Sequence, residues 1–219
     1  MKTYRITIQL KSDLHIGSGF GFARIIDNMS VEDEEGLAYV PGSTIKGKLR
    51  SVCKKIVLTL GDKAFLNNEE KICQSFASTK GQEGLCKHIE QKHRCVICRL
   101  FGSPFAEGKL LFTDAKLDEV HAEEIRVLLK INRFHISTQN EVRTNVKVSR
   151  TRKLAEDGHL FVSENVRKSL VFTGLLYIKE PLSSDEEMLL HYGLKALTHL
   201  GGQKSRGLGR VEMKLEEVT

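Results

Sequence analysis

The sequence predicts an α+β fold, and three kinds of pattern along the chain lead to this prediction. Short segments in which apolar and polar residues alternate indicate half-buried strands. Two longer segments carry apolar residues at helical spacing, as amphipathic helices do. Polar, glycine-containing stretches separate these elements and indicate insertions. Strands are expected at 3–11, 109–117, 169–178 and 207–216, and helices at 44–60 and 184–200.

The first strand is predicted from the strict alternation of apolar and polar residues between Tyr4 and Leu10. It runs into a glycine-rich loop that contains His15, Gly17 and Ser18. Flexible backbone beside a histidine suits contact with a nucleic acid, because glycine lets another molecule come close to the main chain. A plain surface loop is the alternative interpretation.

The first helix gives the strongest helical signal of the chain. Ser43 or Thr44 is expected to cap its first turn. The first turns then carry basic residues where acidic ones are usual. These residues are Lys46, Lys48 and Arg50. An anionic ligand at the helix N-terminus would explain them, and a basic solvated helix face is the alternative.

A cysteine-rich pattern ends the polar segment that follows the first helix. Four soft ligands have the spacing of a tetrahedral structural zinc site. They are Cys86, His88, Cys95 and Cys98. Cys73 and His93 are alternative ligands, and a redox-active cysteine pair or no metal at all are the other interpretations. Structural Zn²⁺ would stabilise a long insertion that has no core of its own.

A polar and basic stretch at 131–160 predicts a projecting β-hairpin, since residues alternate between Asn145 and Ser149. A solvated loop is the alternative. The basic residues expected to face a nucleic acid are Arg143, Lys147, Arg150 and Arg152.

A second amphipathic helix is predicted to start with a capping box formed by Ser183 and Glu186. It leads into a second glycine-rich loop with several basic residues, which suits the gripping of a phosphate backbone. The alternative is a turn with solvated charges. The residues of this loop expected to contact the phosphate backbone of a nucleic acid are Gly201, Gly202, Gln203, Lys204, Ser205 and Arg206.

Composition agrees with a nucleic-acid partner. The chain has 219 residues, 40% of them hydrophobic, and a net charge of +6, which fits a polyanionic partner and a buried core. Aromatic residues make up only 6%, and Trp is absent, so binding directed at the backbone is favoured over base stacking. No apolar run is long enough to span a membrane, and no signal peptide is evident. The five cysteines indicate a reducing cytoplasm.

The order of elements is that of a ferredoxin-like βαββαβ core. We predict a single domain, 1–219, whose core comprises 1–60, 109–130 and 165–219. The zinc-containing insertion is expected at 62–108, and the hairpin region at 131–164.

Four motifs occur in order and carry a family resemblance. They are His15-Ile16-Gly17, the segment 41–50, the segment 98–103 and the loop 201–209. With these motifs the chain resembles the RAMP superfamily, and most closely the repeated backbone subunit of type III CRISPR effector complexes, type III-A or III-D-like. The resemblance implies a modified RNA-recognition-motif core that polymerises with further copies and other subunits along a guide CRISPR RNA. It also implies that the basic hairpin is a thumb that kinks the duplex of guide and complementary target RNA.

The resemblance further implies that Asp27 cuts the target RNA next to each kink. Attack by a 2′-OH needs in-line geometry, a proton acceptor and charge neutralisation. A single carboxylate can act as a base or hold a divalent ion, so Mg²⁺ or Mn²⁺ dependence is expected.

Three alternative functions remain open from the sequence. The chain could be a guide-binding subunit that does not cut, or a stand-alone endoribonuclease that processes guide precursors with His15. It could also be a generic nucleic-acid-binding protein stabilised by zinc. Cutting by the assembled complex, processing by the isolated subunit and guide-dependent filament formation distinguish them.

Overall fold

A computed structural model describes residues 1–21, 26–60, 94–131, 139–149 and 151–218. The strands are β1 (Lys2–Leu10), β2 (Tyr39–Val40), β3 (Leu110–Phe112), β4 (Ala115–Leu117), β5 (Asn140–Val148), β6 (Ala155–Val166), β7 (Val171–Ile178) and β8 (Val211–Glu217). The helices are α1 (Gly42–Leu60), α2 (Val96–Phe101), α3 (Glu119–Ile131) and α4 (Ser184–Ala196). Within these ranges, no helix is both long and apolar enough to cross a membrane.

The main sheet is antiparallel, and its strand order is β2-β4-β7-β1-β8, with β3 also paired to β7. The alternation predicted for the first strand is confirmed, because Ile6, Ile8 and Leu10 are buried. They face α1 and α4, which cover one side of the sheet. The mixed α+β class predicted from the sequence is therefore the class observed.

The two helices pack closely at Gly193 of α4. A Cβ atom at this position would lie 2.4 Å from the Sγ atom of Cys53 in α1. Burial raises the pKa of Cys53 to about 12, so this cysteine stays a neutral thiol in the core. The helices can approach because residue 193 has no side chain.

The strand expected at 109–117 is two short strands, and the interruption has a local cause. Asp114 leaves the ladder, and its carboxylate accepts a hydrogen bond of 2.8 Å from the backbone N–H of Gly42. This contact caps the start of α1. The prediction that Ser43 or Thr44 caps the helix is wrong, because both lie inside α1.

Other element ends differ from the predictions for similar reasons. The capping box of Ser183 and Glu186 is confirmed, but α4 ends at Ala196 rather than at residue 200. The last strand starts at Val211 rather than at residue 207. Gly207 and Gly209 have φ angles of 82° and 75°, a conformation that a strand does not allow.

The predicted hairpin is present as a separate two-stranded sheet of β5 and β6, so the solvated-loop alternative is wrong for these residues. Bridges from Leu14 to Val166 and from Asn28 to Ser163 attach β6 to the long loop after β1. The part of β6 near Val166 is therefore paired with the loop that contains His15 and Asp27.

Candidate nucleic-acid interface

Three segments that are distant in sequence meet at a groove of about 390 Å³. The loop after β1 contributes His15 and Gly17, and the second glycine-rich loop contributes Gly201 and Gly202. The first turns of α1 supply Ser43, Thr44 and Lys48. Seven of the predicted RNA contacts thus line one groove. Two hydroxyl groups, an ammonium group and open backbone give this groove the chemistry of a phosphate-binding surface.

Close backbone contacts hold the two loops of this groove together. The N–H of Gly202 donates a hydrogen bond of 2.9 Å to the carbonyl of His15. Gly201 has a φ of 69°, and a Cβ atom there would lie 2.3 Å from the same carbonyl oxygen. A side chain at residue 201 would therefore separate the loops, which explains the glycine.

Additional cationic residues lie beside this groove. His199 and Arg210 are paired by an isolated antiparallel β-bridge. The pKa of His199 is lowered by burial and by the neighbouring Lys204, Arg210 and Lys48. Sequence reasoning missed His199, because it lies in no recognisable motif. Arg210 belongs to the basic residues of the glycine-rich stretch but was not named as an RNA contact. Concentrated positive charge of this kind favours an anionic ligand.

Lys46 and Arg50 lie away from that groove. Lys46 lines a second groove of about 520 Å³ together with Lys179 and the turn from Gly102 to Gly108. Its pKa is lowered by burial and by Arg50 and Lys179. Lys46 and Lys48 therefore line different grooves, and only Lys48 lies with Ser43. Residues 46 and 48 project about 200° apart around a helix, since each residue turns it by about 100°.

The motif at 98–103 has a structural role through Arg99. Its Nε atom lies 2.9 Å from Glu186, and Lys109 Nζ lies 2.7 Å from the other oxygen of that carboxylate. Burial acts to raise the pKa of Glu186, but hydrogen bonds from Lys109, Ser183 and Arg99 leave it below its usual value. This buried group connects α2, the residue before β3 and the start of α4.

Only part of the predicted zinc site can be examined, because Cys86 and His88 lie outside the described residues, as do Cys73 and His93. Cys95 is the N-cap of α2, and Cys98 lies in its first turn; both are buried. The guanidinium of Arg50 donates to the Sγ atom of Cys98 over 3.7 Å. In the described ranges no three potential ligands cluster.

Asp27 is exposed on the loop after β1, and β6 fixes its position. Its backbone N–H donates to the carbonyl of Val162 over 2.9 Å. The Oδ2 atom of Asp27 accepts a hydrogen bond of 2.7 Å from the backbone N–H of Val162. Oδ1 meets no hydrogen-bond donor within the described ranges. One carboxylate oxygen is thus held by the hairpin while the other faces solvent.

A buried network of hydrogen bonds connects the loop that contains Asp27 to the hairpin. The carboxylate of Glu164 accepts from the N–H of Ser30 at 2.9 Å and from Asn140 at 3.0 Å. Asn140 also donates to Glu32 at 2.7 Å. Burial and the neighbouring Glu164 raise the pKa of Glu32. His15 joins the network through a 2.9 Å contact between its Nδ1 atom and the carbonyl of Glu164.

Two arginines that were predicted to face RNA contact the protein itself. Arg143 forms an ion pair with the buried Asp13. Arg206 donates a hydrogen bond of 3.3 Å to Asn145, and its guanidinium carbon lies 5.7 Å from the centroid of the Phe161 ring. These contacts connect the hairpin to the rest of the molecule.

The remaining predicted contacts are spread over the surface. Ser18 bonds to the carbonyl of Met29 within the loop after β1. Lys147 and Arg152 are exposed on the hairpin, and Arg150 lies outside the described residues. Gln203 precedes a short 3₁₀ turn, Lys204–Arg206, which contains the exposed Ser205.

The fold is that of a known class of protein. The chain belongs to the RAMP superfamily, whose family model matches residues 7–212. It is 26% identical over 225 residues to the CRISPR system Cms endoribonuclease Csm3 of Streptococcus thermophilus, covering 97% of this chain and 86% of that protein.

Solved structures agree at the level of the fold. A chain of the type III-B Cmr-beta complex bound to cognate target RNA matches with a TM-score of 0.63 and 16% identity, covering 97% of this chain and 96% of the other. A chain of the same complex in its apo state matches with a TM-score of 0.61, 15% identity and the same coverage.

Proposed function

We propose that this chain is a backbone subunit of a type III CRISPR ribonucleoprotein, which binds guide RNA and cuts complementary target RNA with Asp27. The observation that carries the proposal is the loop after β1. Its first part, with His15, lines the cationic groove, and its later part presents Asp27 on the hairpin. One loop therefore joins the surface suited to a phosphate backbone to an exposed carboxylate. Similarity to a CRISPR endoribonuclease over 97% of the chain supports the same function.

The guide is proposed to lie in the groove formed by the two glycine-rich loops and α1. Lys48 contributes a full charge there, and Lys204 and Arg210 add charge beside it. These groups recognise phosphates and carry no base information, so binding is expected to be independent of sequence. We propose that further copies bind successive stretches of the guide through the same sequence-independent contacts.

Target cutting is proposed to use the exposed carboxylate of Asp27. Its Oδ1 atom can accept the proton of an attacking 2′-OH, while the bond to Val162 keeps the side chain in one orientation. The chemistry of a single carboxylate also fits a hydrated Mg²⁺ or Mn²⁺ ion, which would neutralise charge on the phosphate when bound. The hairpin beside Asp27 is the proposed thumb.

The finer description of the fold is also a proposal. The order β8-β1-β7-β4 with all neighbours antiparallel supports a ferredoxin-like core, since the last, first, third and second core strands follow one another.

The buried pair Cys95 and Cys98 beside Arg50 supports a structural zinc knuckle completed by Cys86 and His88. Thiolate ligands require a reducing compartment, so we propose that the protein acts in the cytoplasm.

Replacement of Lys48 by alanine tests the guide-binding part of the proposal. We expect guide affinity to fall by about threefold to tenfold for any guide sequence. The slope of log K against the logarithm of the salt concentration should become smaller in magnitude by about one. Filter binding at several salt concentrations measures both. Lys214→Ala is the matched control, because Lys214 is exposed on β8. Its neighbours Met213 and Leu215 pack against the core, and Lys214 lies on the other face of the strand. Equal affinities of the Lys48 and Lys214 variants would refute the proposed guide groove.

A further inference from the structure

One face of the hairpin is directed at the second glycine-rich loop. Asn145 of β5 and Phe161 of β6 are directly opposite each other, so their side chains share this face. Arg206 from the loop reaches both of them, by a hydrogen bond to Asn145 Oδ1 and by stacking over the Phe161 ring. A second bond, of 3.0 Å from Asn145 Nδ2 to Ser163 Oγ, orients the amide so that its oxygen faces Arg206.

The loop is shaped so that Arg206 points at the hairpin. Gln203 has a φ of 54° and Gly207 a φ of 82°, and between them lies a single 3₁₀ turn. The side-chain oxygen of Gln203 accepts a hydrogen bond of 3.2 Å from Arg206. The guanidinium is thus held by its own loop on one side and by the hairpin on the other.

The hairpin residue next to this contact is the one that holds Asp27. Phe161 is followed by Val162, whose N–H and carbonyl both bond to Asp27. A second connection runs from Arg143 to Asp13, whose carbonyl accepts a hydrogen bond of 2.7 Å from Gly209 of the same glycine-rich loop. The glycine-rich loop therefore contacts side chains on one face of the hairpin, and Asp27 is bonded to the backbone of the next residue of β6.

We propose that Arg206 is a positioning residue for target cleavage, which fixes the hairpin against the glycine-rich loop and thereby places the Asp27 carboxylate. This role differs from the phosphate contact that the sequence predicted for Arg206. The inference rests on the proposed function. A small displacement of a catalytic group is enough to slow a reaction strongly, so the loss of this contact reduces cleavage while guide binding persists.

A double-mutant cycle in the complex assembled with guide RNA tests the inference. The variants are Arg206→Ala, Asn145→Ala and the double variant, together with Arg206→Lys, which keeps the charge but not the planar, stacked geometry. Arg5→Ala is the control for charge, because Arg5 is exposed on β1 beside the buried Ile6. Thr144→Ala is the control for the hairpin, because Thr144 lies on its other face. Single-turnover cleavage at saturating target, guide affinity against salt, and thermal unfolding are measured for each variant.

We expect all four Arg206 and Asn145 variants to cleave on the order of tenfold more slowly, and the double variant to be no slower than the single ones. The salt dependence of guide binding stays unchanged, and the control variants cleave like the unmodified protein. A reduced salt dependence for Arg206→Ala with normal cleavage by Asn145→Ala would overturn the inference in favour of a phosphate contact. Normal cleavage by both would overturn it as well. Cleavage that persists after Asp27→Asn would instead refute the proposed function.

Discussion

At the scale of single residues, Asp27 is fixed by hydrogen bonds while it stays exposed. Two hydrogen bonds to Val162 fix the position of the Asp27 backbone and of one of its carboxylate oxygens. Gly21 packs against this segment so closely that a Cβ atom would lie 2.6 Å from the carbonyl of Ile26. The side chain of Ile26 is buried and anchors the segment in the protein. An exposed group with a fixed orientation is suited to act on a ligand that arrives from solvent.

His199 illustrates how the groove depends on charge. Burial and the cations Lys204, Arg210 and Lys48 lower its pKa, so the ring is neutral at physiological pH when no ligand is present. A phosphate bound beside it would oppose those cations and raise the pKa. Binding would then take up a proton, and linkage requires that affinity rises as the pH falls through the pKa of the bound state.

We therefore expect guide affinity to increase by about threefold to tenfold between about pH 8 and about pH 6, since one pKa unit corresponds to a tenfold change. His199→Asn should abolish this pH dependence. His191→Asn should preserve it, because His191 is exposed on α4 and is not part of the groove. Binding isotherms at constant salt measure the effect. A pH dependence that survives in His199→Asn would contradict this account of the groove.

At the scale of elements, α1 presents three different faces. Ile45, Leu49 and Val57 are buried in the core. Lys48 lines the proposed guide groove, whereas Lys46 lines the groove beside Gly102 and Ser103. The basic first turns that the sequence revealed are therefore divided between two surfaces. Only the face with Lys48 joins the two glycine-rich loops.

The short helix α2 has a structural position that suits a metal-stabilised element. It connects the segment outside the described residues to β3, and its side chains are largely buried. Arg99 and the Cys98–Arg50 contact hold it against α4 and α1. Zinc bound at its N-terminal end would stabilise the insertion against the core.

We expect the purified protein to contain about one equivalent of zinc, and Cys98→Ser to lose most of it and to unfold at a lower temperature. Elemental analysis and thermal unfolding measure the two effects. Cys53→Ala is the control, because Cys53 is buried between α1 and α4. This variant should lose stability through a cavity and retain its zinc. A purified protein without zinc would contradict the proposed knuckle.

At the scale of the whole molecule, the periodic segments of the sequence predicted the two long helices and the strands of the core but not their ends, and they did not predict β2 or α2. Alternation and helical spacing located β1, β7, α1 and α4, since these patterns directly reflect which side is buried. The break between β3 and β4 depends on the contact of Asp114 with Gly42, 72 residues apart in sequence. Such contacts between distant segments are determined by the tertiary structure and leave no local pattern.

The candidate site was predictable to a similar extent. The motifs identified His15, the start of α1 and the Gly201–Gly202 pair, and the fold brings these together in one groove. The partners of Arg143 and Arg206 were not predictable, because Asp13, Asn145 and Phe161 become neighbours only through the docking of the hairpin. A basic residue in a sequence shows charge and does not show whether that charge faces a ligand or the protein.

The most direct test of the central proposal is cleavage of a labelled complementary target by the complex assembled with guide RNA, with and without Asp27→Asn. This variant keeps the size of the side chain and removes its charge. The unmodified protein should produce a ladder of fragments at regular intervals in the presence of Mg²⁺ or Mn²⁺, and the variant should bind guide and target normally and produce none. An unchanged fragment ladder from Asp27→Asn, with normal binding, would show that another group cuts the target.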